Sequence, residues 1–127
     1  MSVTKKEFAG LVRAIRLLAA DGPNQIASFP SFVHIPDELV SIFSDGYLLI
    51  KQHNKNPFFD EEASKVLDSL ERHIESMEHV PNLWTVDALR NRKEWEELRT
   101  IAKSFLDRIG FDYGPLDLSG IQYLSGK

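Results

Sequence analysis

Three side-by-side carboxylate pairs, Asp37–Glu38, Glu61–Glu62 and Glu96–Glu97, are the first residues in this chain whose type suits acid–base chemistry. Such chemistry needs one carboxyl in an apolar pocket to raise its pKa above that of its neighbour. Adjacent residues on a helix point about 100° apart, so adjacency alone does not set two carboxyls face to face. All three pairs fall at predicted helix starts or on polar faces, where solvated carboxylates are the better reading. The four histidines are the next candidates. His73 and His79 lie in "ERHIESMEH", where Glu75 and His79 share a helical face, but the zincin pattern of two histidines at i and i+4 with a glutamate directly after the first is absent. His34 and His53 flank one predicted helix. A catalytic histidine needs a nucleophile or an orienting carboxylate in reach, and Ser31 and Ser44 sit in no nucleophile elbow. No glycine-rich phosphate loop occurs. The sequence therefore offers no catalytic residues, no metal ligands and no cofactor site.

The elements that would position any site are helical. Thr4 with Glu7 three residues later has the spacing of a capping box, and Phe8, Leu11, Val12, Ile15, Leu18 and Ala19 follow on one face. "DGP" at 21–23 ends that helix, with Gly22 expected in the left-handed position and Pro23 opening a single turn. "IPDELVSIFSDGYLLI", residues 35 to 50, has two readings. Asp45-Gly46 between apolar runs suits a tight hairpin. Against that, Leu39, Phe43, Tyr47 and Ile50 recur at helical spacing, and Asp37 and Glu38 suit a helix N-terminus after Pro36. Helix is the reading adopted, with the expectation that another helix crosses close to Gly46. Asp60 is expected to cap a third long helix with the stripe Ala63, Val66, Leu67, Leu70, Ile74 and Met77, supported by Glu61–Lys65 and Asp68–Arg72 pairs. Thr85 caps a short turn through Leu89, and Asn91 with Glu94 repeats the capping-box spacing. Trp95, Leu98, Ala102, Phe105, Leu106 and Ile109 line the last helix, which Gly110 stops. The remaining "FDYGPLDLSGIQYLSGK" is too apolar for a free end and is expected to lie extended across the bundle. The fold expected is all-α: one domain over 1–127, a bundle of four to five helices with that tail packed on it.

Composition narrows the function. With no cysteine, disulfides and thiolate chemistry are excluded, which fits a reducing compartment and equally a cysteine-free periplasmic protein. The N-terminus lacks the apolar core of a signal peptide and no apolar run approaches the ~20 residues of a membrane span, so the expectation is a soluble, cytoplasmic protein that binds no membrane. The net charge of −4 is unevenly spread. Residues 1–20 carry Lys5, Lys6, Arg13 and Arg16 against Glu7 alone, whereas residues 21–80 set eleven carboxylates against Lys51, Lys55, Lys65 and Arg72. An acidic middle repels nucleic-acid phosphates and attracts a basic partner. Arg90, Arg92, Lys93 and Arg99 are interleaved with Glu94, Glu96 and Glu97, so a nucleic-acid role is not expected.

The acid-rich segments "IPDELVSIFSDGYLL" and "DEEASKVLDSLERHIESMEH", one cysteine-free domain and the lack of a catalytic set together give the chain a general character. It resembles the small acidic helical immunity proteins that bacteria make against their own secreted toxins, while departing from the short four-helix colicin-immunity pattern in length and motifs. The resemblance implies a binding or neutralising protein whose acidic helical face meets a basic, nuclease-type toxin. Asp37, Glu38, Asp45, Asp60, Glu61 and Glu62 would steer that partner, and linker aromatics Phe58, Phe59 and Trp84 would anchor it. Two other classes stand beside it. One is a small-molecule-binding or enzymatic domain with a pocket lined by Tyr47, His53, His73 and Trp84. The other is a homodimeric adaptor burying Phe58, Phe59 and the apolar tail.

Overall fold

The computed structural model describes residues 2–30 and 34–110. Among them are six α-helices and one 3-10 turn: α1 Lys5–Ala19, α2 Gly22–Ala27, α3 Ile35–Lys51, α4 Glu61–Glu78, the 3-10 turn Pro81–Leu83, α5 Val86–Asn91 and α6 Lys93–Ile109. The fold is all-α, built on four long helices with two short ones in the connections. The expectation of an extended tail concerns residues 111–127, outside the described residues.

Helix α1 is the centre of the molecule, packing against α3 on one side and α6 on the other, while α6 packs in turn on α4. This explains why α1 buries more than its predicted stripe. Ala9, Ala14 and Leu17 are buried along with Phe8, Leu11, Val12, Ile15, Leu18 and Ala19, and the small alanines let a second helix approach. The capping box forms as read: the Thr4 N–H donates to Glu7 at 2.9 Å, and the Glu7 N–H to the Thr4 hydroxyl at 3.1 Å.

The opening ambiguity resolves to helix. Gly46 lies inside α3, and a Cβ there would stand 3.4 Å from the Leu11 Cα of α1. Close helix approach is the reason for glycine, and it offsets the roughly 1 kcal/mol that glycine costs a helix. An added methyl just fits at that distance, whereas a larger side chain must push α1 away. Gly46→Ala is therefore expected to stay within about 0.5 kcal/mol of the native stability, while Gly46→Leu loses about 1–3 kcal/mol by overpacking. Urea unfolding of the two variants checks this.

Several local readings need correction. Gly22 is not a left-handed terminator: α1 ends at Ala20 in extended backbone, and Asp21 then caps α2, its side chain accepting the Asn24 N–H at 2.9 Å. Gly22 instead lets α2 lie against α5, since a Cβ there would meet the Arg90 Cα at 3.3 Å. Asn91 does not cap α6, because its amide donates back to Asp87 and Arg92 occupies the cap position. Lys65 pairs with Glu62 rather than Glu61, and Asp68 pairs with Lys51 rather than Arg72. The other caps stand as read. Asp60 accepts the Ala63 N–H and Thr85 the Ala88 N–H, and Gly110 ends α6 at φ 81°, a conformation that favours glycine.

Candidate functional site

Helices α3 and α4 run antiparallel and meet through side chains, which defines a seam between them. At its lower end, where α3 finishes and α4 begins, the seam is closed. The Tyr47 hydroxyl donates to Asp68 at 2.9 Å, and the Lys51 ammonium lies 2.8 Å from the same carboxylate and 3.3 Å from the Ser64 hydroxyl. Burial, followed by the Asp68 hydrogen bond and the charges of Glu71 and Glu75, pushes the Tyr47 phenol well above its ordinary pKa. Burial also acts to raise Asp68, but the hydrogen bonds from Lys51 and Tyr47 win and hold that carboxyl below its ordinary range. Proton sharing at this end is thus settled: phenol neutral, carboxylate charged.

Further up the seam the balance reverses. Glu71, Glu75 and Glu78 follow Asp68 at three-, four- and three-residue steps, which keeps all four on one face of α4. Among the described residues none of these three glutamates has a hydrogen bond or an ion pair. Burial, with Glu75 and Glu78 beside it, pushes the Glu71 carboxyl above its ordinary pKa. The upper end opens into a depression of about 310 Å³ lined by Asp37 and Val40 of α3, Glu78 of α4 and Trp84. Asp37 also accepts a hydrogen bond from His34.

The residues singled out from sequence divide by place. Asp37 and Trp84 are brought together in this depression. Glu38 and Asp45, seven residues apart on α3, share an exposed face about 100° around from Asp37. Asp60, Glu61 and Glu62 are exposed at the opposite end of α4, about 25 Å from Glu78 along its axis. Phe58 and Phe59 are partly buried and packed inward: Phe58 stacks on Phe8 at 4.7 Å, and Phe59 sets its ring edge-to-face with Phe105 at 5.2 Å. Their chemistry here is core packing. Trp84 is partly buried, its indole N–H donating to the Met77 carbonyl at 3.0 Å and its ring edge-on to Trp95 at 5.6 Å.

The four residues proposed for a small-molecule pocket are dispersed. Tyr47 is engaged with Asp68, while His53 pairs with Glu7 at 2.9 Å and His73 bonds the Glu94 carbonyl at 2.9 Å. The Thr4 backbone N–H, then His53, hold the Glu7 carboxyl below its ordinary pKa. This contact ties the connector after α3 to the start of α1, beside a Val3 N–H bond to the Lys55 carbonyl at 2.9 Å. A second depression of about 370 Å³ lies between α4 and α6, with His73, Glu96, Glu97, Thr100 and Ile101 around it. Among the described residues no group of three or more His, Asp or Glu is placed to hold a metal ion, and no helix is long and apolar enough to cross a membrane.

Read from sequence, Glu75 and Glu78 stand beside His73 and His79, and Asp68 pairs with Arg72; Asp68, Glu71, Glu75 and Glu78 are not joined into one stripe, although their three- and four-residue steps carry that signal. No family model, curated protein or solved structure matches the chain.

Proposed function

We propose that this chain is a binding and neutralising protein of the immunity type, holding a basic protein partner such as a nuclease-type toxin domain along the α3–α4 seam. One observation carries the reading: among the described residues Glu71, Glu75 and Glu78 have no hydrogen bond or ion pair on their face of α4, and Glu78 shares a depression with Asp37. Carboxylates without a cation among the described residues offer their charge to a basic partner. Complementary charge of this kind mainly speeds encounter and fixes register, while apolar groups such as Val40 and Trp84 hold the bound state. Burial first, then the charges of Glu75 and Glu78, raise the Glu71 pKa, and a partner's lysines and arginines would offset the second of these causes.

The test compares two variants with the same change in net charge. Glu71→Gln/Glu75→Gln/Glu78→Gln empties the seam, and Asp60→Asn/Glu61→Gln/Glu62→Gln empties the far end of α4 while keeping a capping side chain. With a nine-residue mixed Lys/Arg peptide as probe, the seam variant is expected to associate about tenfold more slowly and to lose its salt dependence. The far-end variant should stay within about threefold of the native chain. Equal losses in both would mean a diffuse field and no seam site.

A further inference from the structure

We propose that the depression bounded by Asp37, Val40, Glu78 and Trp84 is a seat for one arginine side chain of the partner. The inference rests on the basic-partner reading above and names the side chain that reading leaves open. Its volume of about 310 Å³ suits a single long side chain rather than a helix or a cofactor. The walls are of two kinds. Val40 and Trp84 are apolar, and Trp84 is held in one orientation at two points, by its N–H bond to Met77 and its packing on Trp95. Asp37 and Glu78 bring carboxylates from two different helices, and among the described residues Glu78 has no cation of its own.

That mixture discriminates between cations. A lysine ammonium is compact and strongly hydrated, and an indole with a valine returns little for the water it would shed. A guanidinium is flat and weakly hydrated; it stacks on aromatic rings and donates through several N–H groups at once. Here it lies against the Trp84 and Val40 side while its N–H groups reach Glu78 and Asp37, bonds strengthened by charge. His34 does not block this. It engages Oδ2 of Asp37, and a carboxylate accepts at both of its oxygens. A metal ion fits the described walls poorly, since Val40 and Trp84 bring no donor suited to one.

Nine-residue all-arginine and all-lysine peptides, titrated against the full chain, test the assignment. The arginine peptide is expected to bind about tenfold more tightly at equal charge. The N–H resonance of Trp84 should move on its addition while that of the fully buried Trp95 stays in place. In Glu78→Gln, at an exposed helix end where folding is not at issue, the preference should shrink to about twofold, with the lysine peptide's affinity nearly unchanged. Equal affinity for both peptides, each lost in the Glu71→Gln/Glu75→Gln/Glu78→Gln variant, overturns the arginine seat and leaves the seam reading standing. An arginine preference without movement of the Trp84 resonance overturns the location. Binding of neither peptide overturns the seam reading and the seat with it.

Discussion

Replacing Gln25 with leucine is expected to lower the unfolding free energy by about 3 kcal/mol. Gln25 is wholly buried, and its amide is fully used. The Nε2 group donates to the Leu17 and Leu18 carbonyls at 3.1 and 3.0 Å, two of the acceptors that the end of α1 leaves without a helical partner. Its Oε1 accepts from Arg99 at 3.2 and 3.3 Å, and Arg99 also donates to the Leu89 carbonyl. Three helices therefore meet on one amide, α1 through its last carbonyls, α2 through Gln25 and α6 through Arg99, and Arg99 ties in α5 through the Leu89 carbonyl. Burial pulls the Arg99 guanidinium below its ordinary pKa, with Glu96 and Asp21 acting in the opposite direction, yet arginine remains a cation at neutral pH. Among the described residues no carboxylate forms an ion pair with it. Leucine at 25 would strand two carbonyls and leave a buried cation with one acceptor fewer. Arg99→Met removes the charge along with its bonds and should cost less, about 1–2 kcal/mol. The double variant should then recover part of the Gln25→Leu loss. Urea unfolding of all four proteins, with slopes compared, measures that coupling. A loss below 1 kcal/mol for Gln25→Leu would mean water replaces the amide and the network is not structural.

The same network shows where a single sequence stops being informative. The stripes of α1, α4 and α6 were legible because the side chains of one helix announce a face by their own spacing. The caps at Thr4, Asp60, Thr85 and Gly110 were legible because each acts within four residues. Even Gly46 carried long-range information: an otherwise costly glycine in a well-formed apolar stripe implied a crossing helix, and Leu11 is there. Gln25 and Arg99 sit 74 residues apart, and neither type announces burial, so their pairing belongs to tertiary structure alone. The candidate site divides in the same way. Its acids were countable, and the steps between Asp68 and Glu78 could have been assigned to one face. Which face of α4 meets α3, and hence why Asp37 belongs with Glu78 and not with its neighbour Glu38, depends on how the helices pack around α1. Phe58 and Phe59 show the converse case. A connector leaves core and partner contact both open to them, and their half-buried packing on Phe8 and Phe105 comes from tertiary structure.

Emptying the seam of charge should make the protein more stable and less able to bind, and the opposite signs are the strongest test of its purpose. In Glu71→Gln/Glu75→Gln/Glu78→Gln, three like-charge neighbour pairs on one helix face disappear (Asp68–Glu71, Glu71–Glu75 and Glu75–Glu78), each worth a few tenths of a kcal/mol. The desolvation of Glu71 goes with them. The expected gain at neutral pH is about 0.5–1 kcal/mol, or roughly 2–5 °C in melting temperature for a chain of this size. The pH dependence follows from the direction of the Glu71 shift. Burial, then Glu75 and Glu78, raise its pKa in the folded state, so the folded protein favours the protonated form. The stability this group allows is complete below its unfolded pKa and is lost as pH rises through the higher folded value. The variant's advantage should therefore be present at neutral pH and vanish near about pH 3, where the seam glutamates of the native chain are protonated. Thermal melts at the two pH values measure it. Greater stability together with about tenfold slower association with a basic peptide would support the proposed binding role of these carboxylates. If the variant were instead less stable at neutral pH, those glutamates would be making contacts that hold the fold, and the seam would lose its claim to a partner.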